Sequence, residues 1–163
     1  MVAYSPVRVL FLVLLASTLA LFTTPAESGA MFTWGARVSS PQLFSVSGGF
    51  LIGKLDAPPR PPDAPPREKM YIPTGLLIQA EPGIGGGKIA LGVAKGLPPL
   101  AAAGLKAFYL RTWGQPLWGE KDRSYVGLEL DATLFVKLSI GVMRRVDEEP
   151  HETKVTGGIG FGF

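Results

Sequence analysis

Three groups of residues have types and spacings that could do chemistry. Glu129 and Asp131 lie two positions apart, so on an extended strand both carboxylates point to the same face. Such a pair suits acid–base work or an ion-pair network with nearby cations. His151, the single histidine of the 163-residue chain, stands beside Glu152, and with Ser124 it would supply the Ser–His–carboxylate set that acyl transfer needs. Lys88 follows Gly83-Ile84-Gly85-Gly86-Gly87, as the lysine of a phosphate loop follows its glycines. That loop needs glycine at its first position, Ser or Thr after the lysine, and a helix whose amides face the phosphate. Pro82 and Ile89 hold the two positions, and no helical spacing follows, so the glycines read as a turn. A lone histidine in a charged loop reads as a solvated side chain. Glu129 and Asp131 read as partners for Lys88 or Arg145. With no cysteine and one histidine, the chain offers no cluster for a transition metal. No catalytic residue, metal or cofactor is expected.

The elements that would position these residues repeat with period two. Phe32, Trp34, Ala36 and Val38 oppose Thr33, Gly35, Arg37 and Ser39, and Ser40-Pro41-Gln42 ends the run. Phe44, Val46, Phe50 and Ile52 then oppose Ser45, Ser47, Gly49 and Gly53, with Leu51 the only large apolar residue on that second face. Leu76, Ile78 and Ala80 oppose Leu77, Gln79 and Glu81; across the glycine turn, Ile89, Leu91 and Val93 oppose Lys88, Ala90, Gly92 and Ala94. A fifth segment over 102–113 has large apolar residues on both faces, so alternation leaves its phase open, and a bulge is one way to re-phase it. Val126, Leu128, Leu130, Ala132 and Leu134 oppose Tyr125, Gly127, Glu129, Asp131 and Thr133. After a turn near Phe135-Val136-Lys137, Leu138, Ile140 and Val142 oppose Ser139, Gly141, Met143 and Arg145. The last segment sets Val155, Ile159, Phe161 and Phe163 against Thr156, Gly158, Gly160 and Gly162.

One stretch breaks the pattern. Residues 56–70 carry Asp56-Ala57-Pro58-Pro59-Arg60-Pro61-Pro62-Asp63-Ala64-Pro65-Pro66-Arg67. Proline cannot donate to a strand ladder, so this reads as an extended loop or stiff spacer.

Before the first strand, Arg8 precedes an apolar run from Val9 to about Ala20, followed by Thr23-Thr24-Pro25-Ala26 and by Ser28-Gly29-Ala30. That layout predicts a signal peptide over 1–26, cleaved as late as residue 30, and a β-domain over 31–163. The competing reading is a retained membrane helix, for which the run is shorter than the ~20 residues needed to cross hydrocarbon. Hydrophobic residues make up 47% of the chain and charged residues 18%, with a net charge of +3 that is not gathered into a block. This excludes a disordered chain and gives no footprint for nucleic acid.

Alternation by itself fits both a membrane barrel and a soluble sandwich. The polar face discriminates, because it is mostly Gly, Ser, Ala and Thr, small enough for the cramped lumen of a narrow barrel. Its isolated charges have both signs: Arg37, Lys88 and Arg145 against Glu81, Glu129 and Asp131. In a lumen they are expected to pair. Phe32, Trp34, Phe44, Tyr71, Tyr109, Trp113, Phe161 and Phe163 gather near segment ends, as girdles at two membrane interfaces would.

The signal-peptide layout, about eight alternating segments and the terminal phenylalanine together resemble the small eight-stranded outer-membrane β-barrels of Gram-negative bacteria, the OmpA- or OmpX-like architecture. The resemblance covers the whole mature chain. It implies an all-β, antiparallel up-and-down transmembrane barrel in the cell outer membrane, with lipid, the secretion translocon and the barrel-insertion machinery as partners. It also implies that Val155, Ile159, Phe161 and Phe163 are the signal read by that machinery. The proline-rich loop departs from the pattern: it falls on the periplasmic side, where such barrels have short turns. The function expected is structural or surface-interacting, without a wide pore. A secreted soluble barrel or sandwich binding a small apolar ligand is the alternative, and a membrane-embedded lipid hydrolase a third.

Overall fold

The computed structural model describes residues 28–54, 74–97, 101–147 and 152–162. Eight strands follow one another: β1 (Ser28–Ser39), β2 (Leu43–Lys54), β3 (Thr74–Pro82), β4 (Gly86–Leu97), β5 (Ala101–Thr112), β6 (Ser124–Thr133), β7 (Lys137–Arg145) and β8 (Thr153–Gly162). Each pairs antiparallel with the next, and β8 pairs with β1 to close the barrel. The periodicity thus forms strands as expected, and closure leaves no strand at a free sheet edge.

The register fixes the shape. One row of hydrogen-bonded neighbours runs Gly29, Gly53, Gly75, Ala94, Gly104, Asp131, Ser139 and Gly158, and returns to β1 at Ser39. The path comes back ten residues from where it left. Eight strands with that stagger must tilt roughly 40° to the axis and enclose an interior that side chains just fill.

Both ends of the barrel are defined by the described strand termini. Ser28 and Gly162 lie at one end, the terminal end, together with the turn 134–136. Strands β2 and β3 also meet their connection at that end, so the proline-rich stretch 56–70 joins strands there while itself lying outside the described residues. At the other end, the loop end, the connections lock together. Gly85 N–H donates to Gln42 O (2.8 Å), Trp113 N–H to Gly85 O (3.1 Å) and Leu117 N–H to Pro41 O (2.9 Å). Gln42, 2% exposed, turns inward and donates to Glu81 O at 2.7 Å. Trp118 alone among the tryptophans stands almost free, at 81% exposure.

The phase of the fifth segment, open in the sequence, is set by the fold: β5 pairs residue for residue with β4 over twelve positions, without a bulge. Lys106, Phe108 and Leu110 face in, while Leu105, Ala107 and Tyr109 face out. Phe108 fits inside because its ring lies over Gly127, where a Cβ would come within 2.6 Å of it. Strand β1 starts at Ser28, where Ser28, Gly29 and Ala30 pair with Lys54, Gly53 and Ile52.

Candidate functional site: a charged lumen within an apolar band

The interior is layered. Nearest the loop end, Leu110, Tyr125 and Met143 pack with Phe108 and Ala90 into a buried apolar cluster. Below it lies a charged layer, built by two cross-strand pairs, Glu81 with Lys88 and Lys106 with Glu129, the sheet equivalent of a matched ion pair. Arg37 reaches in from β1. Its Nε donates to Glu81 Oε1 at 2.6 Å, and its Nη1 and Nη2 fork onto Glu129 at 3.2 and 3.1 Å. Lys88 Nζ meets both oxygens of Glu129, at 3.0 and 2.9 Å, and lies 3.2 Å from Glu81 Oε2. Lys106 Nζ contacts Glu129 Oε1 at 3.0 Å and Asp131 Oδ2 at 2.6 Å, and donates to Gln79 Oε1 at 3.1 Å. Hydroxyls complete the layer: Ser45 donates to Glu81 Oε1 and Ser139 accepts from Arg37 Nη1, each at 2.7 Å.

Three cations thus meet three carboxylates, and every one of these charges is almost fully buried: Glu81 is 1% exposed and Lys106 not at all. Glu129 holds the centre, because it alone touches all three cations. Pairing of opposite signs and dense hydrogen bonding are what permit such charges away from water. The Lys88 ammonium also lies 5.4 Å from the centre of the Phe108 ring, a cation–π contact that ties the layer to the apolar cluster above.

Of the six residues expected to pair in the lumen, Arg37, Glu81, Lys88, Glu129 and Asp131 meet in this layer. Arg145 does not. It stands nearer the loop end, where its Nη1 reaches Glu120 at 2.9 Å and its Nε lies 4.0 Å from Asp147. Lys106 belongs to the layer and was missed, because the phase of its strand was not legible between two apolar faces. Its pairing opposite Glu129 is the signal that identifies it.

On the terminal side of the charges lies a cavity of about 60 Å³, the room of roughly two waters. Met31, Leu51, Leu77 and Ala94 form its apolar wall, and Thr33, Asp131 and Lys137 its polar side. Lys137, read from sequence as a turn residue, is the first residue of β7 and turns inward.

Outside, the distribution inverts. Phe32, Trp34, Phe50, Ile89, Leu128, Leu130, Ile140, Val155 and Ile159 are all large, apolar and exposed, and they belong to strands all round the barrel. Between the rims the outward positions carry apolar side chains, alanine or glycine. Aromatic rings mark both borders: Phe32 stacks edge-on against Phe50 (5.6 Å) and Trp34 against Phe161 (6.4 Å) toward the terminal end, while Phe44, Tyr109 and Trp113 lie toward the loop end. Within the expected assembly signal, Val155, Ile159 and Phe161 project outward; Phe163 and Tyr71 lie outside the described residues.

The third reading's Ser–His–carboxylate set falls only partly within the described residues. Ser124 opens β6, where its Oγ accepts from Arg111 Nη1 (3.1 Å) and meets Tyr109 OH (3.0 Å), and His151 lies outside them. No family model matches the chain, and neither curated proteins nor solved structures give a significant match.

Proposed function

We propose that this chain is an integral outer-membrane β-barrel with a structural or surface-interaction role and no wide pore. The observation that carries the reading is the inversion between faces: buried charges inside, a continuous apolar band outside. A soluble protein hides its large apolar residues and exposes its charges, and rarely leaves more than a few hundred Å² of contiguous apolar surface in water. Lipid reverses the preference. On β2 the outward apolar positions run from Phe44 to Ile52 and stop at Lys54, about 20 Å along the axis at the usual strand rise and tilt. Outer-membrane barrels carry an apolar band ~25 Å tall.

The charged layer and the apolar cluster fill the lumen between them, which supports a closed barrel over a channel. Among the described residues the cavity beside them is about 60 Å³, small for the apolar ligand of a soluble carrier. The signal-peptide layout supports export, and the outward row Val155, Ile159 and Phe161 supports the insertion machinery as a biogenesis partner. Because β1 already pairs from Ser28, cleavage after Ala26 keeps the barrel whole, whereas cleavage after Ala30 would remove three paired residues. Sequencing the mature amino terminus should return Glu27; a start at Met31 would contradict this. The reading as a whole is tested by fractionation. The mature chain should stay with membranes until detergent is added and should run at different gel positions before and after heating. A chain that remains dissolved and folded in buffer would overturn it.

A further inference from the structure

The strand charges are sorted by sign. All three strand carboxylates, Glu81, Glu129 and Asp131, face the lumen. The charged residues that face outward among the described strands are Lys54, Lys95, Arg111 and Arg144, cations without exception. Two of them stand together. Across the outer face at the loop end, Arg111 pairs with Ser124, Tyr109 with Val126 and Val126 with Arg144. One row nearer the middle of the band, Ala107, Leu128 and Val142 follow. The two arginines therefore stand two strand spacings across and two residues along, about 12 Å apart, close enough for two long side chains to converge on one headgroup.

Neither arginine is spent on a carboxylate among the described residues. Of the described acids at this rim, Glu120 pairs with Arg123 (3.1 Å) and Arg145 (2.9 Å), Glu152 pairs with Lys154 (3.1 Å), Asp147 accepts from the Ser124 N–H (2.8 Å), and Asp122 pairs with neither arginine. Arg111 is instead steadied along the outer surface by its bond to Ser124 Oγ, beside the Tyr109 hydroxyl.

We propose that Arg111 and Arg144, on the outer face of β5, β6 and β7, bind the phosphate of an anionic membrane lipid whose acyl chain lies along Val126, Leu128 and Val142. The proposal rests on the membrane reading above. Charge complementarity names the occupant: unpaired guanidinium groups at the border of an apolar band meet phosphate at the level where lipid headgroups sit. Arginine suits the task because its fork gives two parallel bonds to phosphate, which the point charge of lysine does not. Lys54 and Lys95, at the terminal end, form the natural control.

The test uses the chain folded in zwitterionic detergent and mass spectrometry of the intact complex, with dioleoylphosphatidic acid as the probe and dioleoylphosphatidylcholine as the comparison. The unaltered chain should retain phosphatidic acid in preference. The double variant Arg111→Gln/Arg144→Gln should retain it about thirtyfold less, the order expected of two basic residues at a lipid surface, while Lys54→Gln/Lys95→Gln retains it as before. Arg144→Gln on its own breaks no hydrogen bond described in the barrel and should still weaken binding several-fold. A chain that needs the micelle to fold but prefers neither lipid overturns this site and leaves the membrane reading intact, and so does a double variant that binds as well as the unaltered chain. Folding without any amphiphile would overturn both.

Discussion

Glu129 is the residue on which the interior most depends. It neutralises Arg37, Lys88 and Lys106 at once, so removing its charge strands three buried cations with two carboxylates between them. Breaking a buried ion pair from one side typically costs about 3–5 kcal/mol. Glu129→Gln should lower the unfolding midpoint in detergent or lipid by that order, whereas Glu120→Gln, on the half-exposed rim, should cost about 1 kcal/mol or less. Equal losses from the two would mean that the layer contributes no more than a surface pair. A second residue-scale dependence is steric. Gly92 faces in, and a Cβ there would lie 2.6 Å from Lys106 Cα, whereas at the outward Gly48 the nearest atom would be Phe32 Cζ at 3.8 Å. Gly92→Ala should therefore destabilise by about 1–3 kcal/mol, the usual cost of overpacking, and Gly48→Ala by much less. Similar unfolding midpoints for the two variants would argue against so close an approach of β4 and β5.

At the scale of elements the barrel is uneven. Strands β4 and β5 pair over twelve positions, while among the described residues β1 and β8 close the barrel over five, from Gly35 with Gly162 to Ser39 with Gly158. Glycines crowd that seam, and apolar cross-strand support is limited to the outer face, where Trp34 meets Phe161. Local opening follows the least supported unit, so amide hydrogen exchange should be fastest along β8 and the facing part of β1, and slowest in β4 and β5. Uniform protection around the barrel would contradict this. Much of this element structure was legible in the sequence, because seven segments alternate so strictly that one face can be only apolar. Strand β5 was not legible: Leu110 and Phe108 are as large as Leu105 and Tyr109, and only contact with Gly127 and the partners of Lys106 decides which set turns in. Arg145 could not be told from Arg37 for a related reason. Alternation gives the face of a residue but not its height, and height comes from the stagger of ten that only closure defines.

For the whole molecule, the central claim is that the apolar band faces acyl chains and the charges face one another. The eight-stranded closed barrel, with its polar lumen, follows from patterns that a single strand already contains: Val126, Leu128 and Leu130 on one side, Glu129 and Asp131 on the other. What the chain recognises is not encoded in that way, since recognition depends on shape rather than on period. The absence of any native cysteine makes the central claim directly measurable with single labels. In vesicles, fluorescent probes at Leu128→Cys and Ile140→Cys should be quenched by brominated acyl chains and ignored by aqueous iodide, while a probe at Glu120→Cys in the loop behaves the opposite way. If the probes at Leu128 and Ile140 in the folded chain were reached by iodide as readily as the one at Glu120, the band would be facing water and the inside-out barrel would be wrong.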